Sequence, residues 1–341
     1  MELEFGVFDH LDRGNFSARQ VYANRLRLVE AYDAAGFYAY HLAEHHATTL
    51  SMAPSPGIFL SAVAQHTSRL RLGPMVYVLP LYDPLRLIEE ICMLDQLSGG
   101  RLELGVGRGF SPFELAYFGV DHLEARDLYQ EVLAVILAGL TGDVLNHRGE
   151  NFRYADVPMV MKPLQRPHPP LWNGVTRAEG AADAARKGVN ALMNGPAGYV
   201  RPLIERYRAE LRADAVQPKA GLARHIHVAD TDREAEDTAR QAYGVWYRSN
   251  AELWRRFQTE TNIFPATYDD ARRLRTVIVG GPETVRKRIE QDMTETGSNY
   301  LVGRLAFGDI PIKRLLRCVD LLATEIMPHF RATPAKAETS A

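Results

Sequence analysis

Predicted strands and helices alternate about eight times along the chain of 341 residues. Apolar runs typical of buried parallel strands, such as residues 71–79, alternate with predicted helices, several of which begin at a capping residue or end near a glycine. Strands and helices in this order build a parallel sheet. Eight such units in one chain favour an α/β fold of the closed (β/α)8 TIM-barrel type over an open sheet.

Two stretches, at about residues 141–170 and 245–276, interrupt this alternation as insertions. The first is polar and rich in proline, which indicates a long loop or a short hairpin over one end. The second lacks a clean period over residues 255–276, and we interpret it as an excursion or mobile lid. We predict a single barrel domain over residues 1–330 and a disordered tail over residues 331–341.

Composition limits the classes of function. A net charge of −2 and an apolar content of 46% indicate a globular protein that attracts neither nucleic acid nor anionic lipid. No apolar run approaches the roughly 18 residues of a membrane span, and no basic-then-apolar leader is present at the start. Two cysteines without a C-x-x-C pattern fit a reducing compartment. We therefore expect a cytoplasmic enzyme.

The strand-to-helix junction at residues 101–112 has the features of an anion site. Its apolar and glycine positions alternate, so one strand face is nearly bare and a planar ligand or another backbone can come close. Arg108 follows this strand, and Ser111 with Glu114 matches a capping box at the next helix start. Free N–H groups and a guanidinium together favour a phosphate. The alternative is a glycine-softened strand whose arginine only faces water.

Glycine spacing argues against a dinucleotide site at this junction. The pattern is G-x-G-x-G, and Phe110 occupies the position where the third glycine of G-x-G-x-x-G would fall. Neither G-x-S-x-G nor G-K-[S/T] occurs, so a hydrolase nucleophile elbow and a P-loop receive no support. A phosphate site that is not a Rossmann NAD site remains.

A histidine pair follows the second predicted strand. Active sites of such barrels lie at the carboxyl ends of the strands, which is where Glu44, His45 and His46 fall. Histidine exchanges protons near neutral pH, and Glu44 can fix the tautomer of a neighbouring imidazole. We expect His45 and Glu44 to be catalytic. The alternative is a polar loop with solvated histidines.

Two more positions can supply contacts to a phosphate. Thr176 follows Gly174 and Val175 at a predicted helix start, where its hydroxyl can bind a phosphate or simply cap the helix. Arg126 lies about one helix after Arg108 and can add a second cation, or it can be an ordinary surface arginine.

A metal site is a competing interpretation. His225 and His227 are two apart on a predicted strand and share a face, so with His45 they can supply three imidazole ligands. No carboxylate at matching spacing completes the set, and a partly buried histidine pair that bonds to its neighbours is the simpler interpretation. We predict no metal.

A long run of motifs over about residues 1–195 carries a family resemblance, with looser matches at 170–185 and 279–283. Its segments are Gly36-Phe37, Leu42-Ala43-Glu44-His45-His46, Arg71-Leu72-Gly73, Val78-Leu79-Pro80, Asp83-Pro84-Leu85-Arg86, Leu94-Asp95-Gln96-Leu97-Ser98-Gly99-Gly100-Arg101 and Gly105-Val106-Gly107-Arg108-Gly109. Together they resemble the bacterial-luciferase-like flavin monooxygenase family.

This resemblance implies a TIM barrel that binds FMN at its C-terminal mouth. Arg108 would bind the phosphate with help from Arg126 and Thr176, and His45 matches the catalytic histidine beside the flavin. The remaining positions that the resemblance places around the cofactor are Met75, Val76, Gly107, Gly174 and Val175.

Two of these positions carry more detail. Met75-Val76 matches a place where the family often has a non-prolyl cis peptide under the isoalloxazine ring. Gly107 stands where bacterial luciferase carries a reactive cysteine, which argues against light emission.

We therefore predict a two-component monooxygenase that uses reduced FMN and O2 to oxidise a small organic substrate. The resemblance implies a homodimer, and the lack of a dinucleotide fingerprint implies a separate NAD(P)H flavin reductase. The alternatives are a deazaflavin-dependent hydride-transfer enzyme of the same barrel family, a metal-dependent barrel hydrolase, and an inactive flavin-binding partner subunit.

Overall fold

The computed structural model describes residues 3–211, 218–259 and 264–331. A parallel sheet wraps around the centre of the molecule, and helices cover its outside. The strands are β1 Glu4–Asp9, β2 Ala39–Leu42, β3 Arg71–Pro74, β4 Tyr77–Val78, β5 Leu104–Gly107, β6 Val144–Arg148, β7 Arg153–Pro158, β8 Leu171–Val175, β9 Asn190–Asn194, β10 Ala220–Val228, β11 Val277–Gly280 and β12 Tyr300–Arg304.

The sheet forms a nearly closed barrel. Its strands follow the order β3-β2-β1-β12-β10-β9-β8-β5, and a parallel bridge between Leu72 and Leu102 joins the β3 and β5 ends. Strand β4 extends the β5 edge, and β11 pairs with the last residues of β10. The predicted (β/α)8 barrel is confirmed.

Local signals explain where the helices begin and end. Ser17 and Thr231 each accept a hydrogen bond from the backbone N–H three residues later, and Gly36 ends the first helix at φ 79°. The helices are α1 Ala18–Ala35, α2 Pro56–His66, α3 Pro84–Leu97, α4 Pro112–Tyr117, α5 Ala125–Thr141, α6 Ala178–Arg186, α7 Ala197–Ala209, α8 Asp232–Asn250, α9 Glu252–Arg256, α10 Tyr268–Arg273, α11 Pro282–Thr296 and α12 Ile312–Leu321. Over the three described ranges, no helix is both long and apolar enough to cross a membrane.

Large side chains fill the lower part of the barrel. Trp172 and Tyr300 are fully buried there, with ring centroids 5.4 Å apart. The Trp172 indole donates to Glu103, and His41 Nε2 lies 2.9 Å from the Tyr300 hydroxyl. Trp172 and Tyr300 lie near the amino ends of β8 and β12, so this cluster fills that end of the barrel.

The two predicted insertions are ordered elements where the structure describes them. Residues 141–170 contain the antiparallel hairpin of β6 and β7, one of the two forms expected there. Residues 245–276 hold the end of α8 followed by the short helices α9 and α10. Residues 260–263 of the predicted lid and all but the first residue of the predicted tail lie outside the described residues. The single domain over residues 1–330 stays a prediction.

Candidate active site

A cavity of about 400 Å³ lies at the carboxyl ends of the barrel strands. Apolar side chains from several strands form most of its wall, among them Phe8, Ala43 and Leu192. The structure brings nearly all of the predicted site residues together around this cavity. Those that line it are Glu44, His45, Met75, Val76, Gly107, Arg108, Gly174, Val175 and Thr176.

Arg108 marks one corner of the cavity. Strand β5 ends at Gly107, and Arg108 follows on an exposed loop that leads into α4. Ser111 Oγ accepts from the Glu114 backbone N–H at 3.3 Å, as the capping pattern predicts. Helix α4 has only six residues, so its dipole adds little and the guanidinium supplies most of the positive charge.

The glycine face of β5 is used by the backbone of its neighbour. A Cβ on Gly105 would lie 2.1 Å from the carbonyl oxygen of Pro74, and one on Gly107 would lie 2.5 Å from Val76 Cγ2. Of the two expected uses of this bare face, close approach of a backbone is the one found. The Met75-Val76 peptide that packs here is cis, as the family resemblance implies.

Thr176 faces the cavity and does not cap a helix. Helix α6 begins at Ala178 with Arg177 in the N-cap position and no side-chain cap, so the capping alternative for Thr176 is wrong. The threonine lies in the loop before the helix, where its side chain is exposed and lines the cavity. Its neighbour Gly174 has no described atom within 4 Å of an added Cβ, which leaves open space on this side.

Arg126 lies outside the cavity wall. It is exposed in the first turn of α5, next to Ala125, which packs against the cavity-lining residues Val78 and Leu115. The structure therefore does not bring Arg126 to the lining of the cavity.

His45 is held by a carboxylate other than the expected one. Its Nδ1 donates to Glu114 Oε1 at 3.1 Å, and Glu114 Oε2 accepts from the His46 backbone N–H at 3.0 Å. Our expectation that Glu44 orients His45 is wrong, because neighbouring side chains on an extended segment point apart. The missed residue is Glu114, which the sequence pattern had assigned only to helix capping.

Glu44 instead bonds to three groups around the ends of β2 and β4. Its fully buried carboxylate accepts from the Val78 N–H at 3.0 Å, the Tyr82 hydroxyl at 2.9 Å and His46 Nε2 at 2.9 Å. These bonds tie the end of β2 to the end of β4. Glu44 thus shapes the cavity wall beside His45.

The pair of His45 and Glu114 is electrostatically coupled. Burial alone would lower the pKa of His45, but the adjacent Glu114 carboxylate raises it above its usual value. Burial likewise works to raise the pKa of Glu114, and the hydrogen bonds from His45 and His46 bring it below its usual value. An ionised Glu114 fixes the proton on His45 Nδ1, which leaves Nε2 as the nitrogen that can act on a ligand.

A second arginine lines the cavity from β12. Arg304 is buried, with its guanidinium 4.9 Å from the ring centre of Phe8 and 5.1 Å from that of Phe264. Its Nη1 donates to Asn194 Oδ1 at 3.2 Å, and burial lowers the pKa of Arg304 to about 9. The sequence reasoning missed both residues, although each ends a strand and the strand-end rule could have identified them.

The three-histidine metal set does not form. His225 packs edge-on against Trp246 and Phe307, with ring centroids 4.2 and 5.0 Å away. Burial lowers the pKa of His227 to about 4. In the part of the chain that the structure describes, no group of three or more histidine, cysteine or acidic side chains is arranged to hold a metal ion.

The fold and the cavity are those of a barrel enzyme whose chemistry takes place at the strand ends. The chain belongs to the luciferase-like monooxygenase family, whose model matches residues 3–300. It is therefore a flavin-dependent oxidoreductase of the kind that incorporates oxygen, which confirms the predicted family and enzyme class.

Relatives and solved structures agree with this assignment. Protein y4wF of Sinorhizobium fredii, described as uncharacterized, is 43% identical over 333 residues and matches 96% of this chain and 97% of its own length. The oxygenase component of flavin-dependent trigonelline monooxygenase from Acinetobacter baylyi is 27% identical over 74% of each chain.

Among solved structures, the oxygenating constituent of 3,6-diketocamphane monooxygenase from Pseudomonas putida, in complex with FMN, superposes with a TM-score of 0.80. That alignment covers 98% of this chain and all of the other, at 20% identity, and it supports the assignment of the fold alone.

Proposed function

We propose that this chain is the oxygenase component of a two-component system, which binds reduced FMN in the 400 Å³ cavity and uses O2 to oxidise a small organic substrate. One observation carries the proposal. Arg108, Thr176 and His45 line the same cavity, together with apolar side chains that include Phe8, Val175 and Leu192.

The residues around the cavity fit FMN. A phosphate needs a cation and hydroxyl or N–H donors, which Arg108 and Thr176 supply at the solvent-exposed corner. A flat aromatic ring system needs an apolar surface with few projecting side chains, and the cis Met75-Val76 segment, Val175 and Gly174 line the cavity beside that corner.

Bound reduced FMN supplies the electrons that activate O2 for transfer to an organic substrate. The residues of the chain bind, orient and protect. Arg108 and Thr176 hold the phosphate, and Arg126 adds positive charge from outside the cavity lining. His45 gives or takes a proton through Nε2 while Glu114 keeps the ring in place. The apolar walls exclude water.

The two-component mode and the assembly are part of the same proposal. The trigonelline relative is described as an oxygenase component, which supports delivery of reduced FMN by a separate NAD(P)H flavin reductase. We expect a homodimer, which sedimentation velocity of the purified protein can check.

Titration of FMN into the purified protein tests the cofactor and its anchor. Arg108→Ala removes charged hydrogen bonds to the phosphate, so we expect FMN affinity to fall about 10- to 100-fold. Arg126→Ala should cause a smaller loss, because its charge lies farther away. The matched control is Arg153→Ala, an exposed arginine on the β7 hairpin that lines no part of the cavity.

Undiminished FMN affinity in Arg108→Ala would remove that residue from the phosphate site. The visible spectrum of the loaded protein decides between FMN and a deazaflavin, since the two chromophores absorb at different wavelengths.

A further inference from the structure

A buried cation lies on the side of the cavity farthest from the proposed phosphate corner. Arg304 ends β12, and Arg108 follows β5. Around the barrel these strands are separated by β1, β2 and β3 in one direction and by β10, β9 and β8 in the other. A phosphate bound at Arg108 therefore lies across the barrel mouth from Arg304, which must have another role.

The charge of Arg304 is not neutralised by the residues that the structure describes. Its Nη1 donates to a neutral amide oxygen of Asn194, and its flanks contact the rings of Phe8 and Phe264. Its Nε is buried without a hydrogen-bond partner. No described carboxylate lies within 4 Å of the guanidinium to pair with it, whereas the buried Arg224 on the same sheet pairs with Asp292 at 2.9 Å.

The histidines near Arg304 add no further positive charge. Burial lowers the pKa of His10 and of His225 well below the usual value, and the Arg304 charge acts in the same direction. Both imidazoles are therefore neutral near pH 7. Among the described residues, Arg304 is left as a cation without a carboxylate partner in a largely apolar corner, an arrangement that is costly unless a ligand brings the negative charge.

We propose that Arg304 and Asn194 bind a carboxylate of the substrate, so that this monooxygenase acts on a small organic acid with an apolar body. This inference rests on the proposed function, because the organic acid is the substrate that bound FMN and O2 would oxidise.

The chemistry of the corner selects a carboxylate. The planar guanidinium presents parallel N–H donors that match two oxygens in one plane. Asn194 uses its oxygen to accept from Arg304, so its Nδ2 group remains as a further donor beside it. One positive charge matches one negative charge, which suits a monoanion better than a phosphate. Around this corner Phe8, Leu192 and Ala223 offer an apolar surface to the rest of the molecule.

Binding of matched acids and amides to the FMN-loaded protein tests the proposal. The probes are acetate with acetamide, hexanoate with hexanamide and benzoate with benzamide, measured by isothermal titration calorimetry. Each amide keeps the shape of its acid and lacks the charge. We expect at least one acid to bind about 10- to 100-fold more tightly than its amide, the range of a charged hydrogen-bonded pair.

Variants at Arg304 assign the preference to this residue. Arg304→Met should abolish the preference for the acid over its amide. Arg304→Lys should keep part of this preference, because the positive charge remains while the paired N–H donors of the guanidinium are lost. The affinity for FMN should stay within about twofold of wild type in both variants, as no phosphate contact is removed. Arg314→Met, an arginine of α12 that does not line the cavity, is the matched control.

Several results would overturn the inference. Acids and amides that bind alike, or an acid preference that survives in Arg304→Met, would show that no carboxylate binds there. A parallel loss of FMN affinity in Arg304→Met would assign the arginine to the flavin. If the wild type binds no FMN, the proposed function fails, and the same acid and amide titrations on flavin-free protein still decide the role of Arg304.

Discussion

Two arginines at opposite sides of one cavity differ in almost every physical respect. Arg108 is exposed on a loop before the six-residue helix α4, whereas Arg304 is 6% exposed at the end of a barrel strand. Water screens the charge of Arg108, so holding it there costs little. Burial penalises the charge of Arg304 and lowers its pKa to about 9.

The exposure of each arginine indicates which kind of ligand its corner suits. An exposed arginine fits an anion that stays at the rim of the cavity, such as the phosphate end of a cofactor. A buried arginine without a carboxylate partner fits an anion that is enclosed completely, as a small substrate is. His45 lies between these corners, where the two ligands would meet.

The largest effect is expected from a substitution of His45, which lies between the two corners. His45→Gln removes the imidazole that exchanges protons, so we expect turnover of any substrate of the wild type to fall about 10²- to 10⁴-fold. The affinity for FMN should remain, because Arg108 holds the phosphate. Product formation with photoreduced FMN measures the first quantity and fluorescence titration the second. Wild-type turnover in the variant would show that no reaction centre lies at His45.

The two arginines should also differ in their effect on stability. Arg304→Met replaces a buried, unpaired charge by an apolar side chain of similar length, so we expect the flavin-free protein to gain about 1–3 kcal/mol in free energy of unfolding. Arg108→Met should change it by less than about 0.5 kcal/mol, as is usual for exposed positions. Urea unfolding followed by circular dichroism gives both values. Destabilisation by Arg304→Met would mean that its ring contacts outweigh the burial of its charge.

The smallest effect concerns pH. If neutral His45 accepts the proton, activity falls as the pH drops through its pKa, which Glu114 holds above the usual value despite the opposing effect of burial. Glu114→Gln removes the negative charge, so the acid limb of kcat/KM should move to lower pH. Glu124→Gln, which changes an exposed carboxylate that does not line the cavity, is the control. If the acid limb of kcat/KM does not move in Glu114→Gln, a group other than His45 controls the pH dependence.

Local patterns were enough to predict the barrel and one side of the cavity. Strand alternation and caps placed Arg108 and His45 at strand ends that line the same cavity, and the family resemblance added the cis Met75-Val76 segment. The helices α9 and α10 of the second insertion were not predicted, because they have five and six residues, too few for a helical period to show.

The contacts across the site were not accessible from local patterns. Glu114 fits a capping box in sequence, yet its carboxylate crosses to a loop 69 positions earlier. Arg304 and Asn194 are 110 positions apart and meet only because β12 and β9 both pair with β10, so that the two strand ends lie on either side of it. A single polar residue after a strand is common, so neither could be selected without knowing its neighbour.

The plugged base of the barrel has a consequence for diversification. Trp172, Tyr300 and His41 pack against one another across three strands below the cavity. Much of the stability of the barrel therefore comes from residues that are separate from the loops that would contact small molecules. Loops at the rim can therefore accumulate substitutions and exchange one chemical preference for another while the foundation stays intact. A protein built this way is a promising starting point for laboratory evolution toward new oxidations.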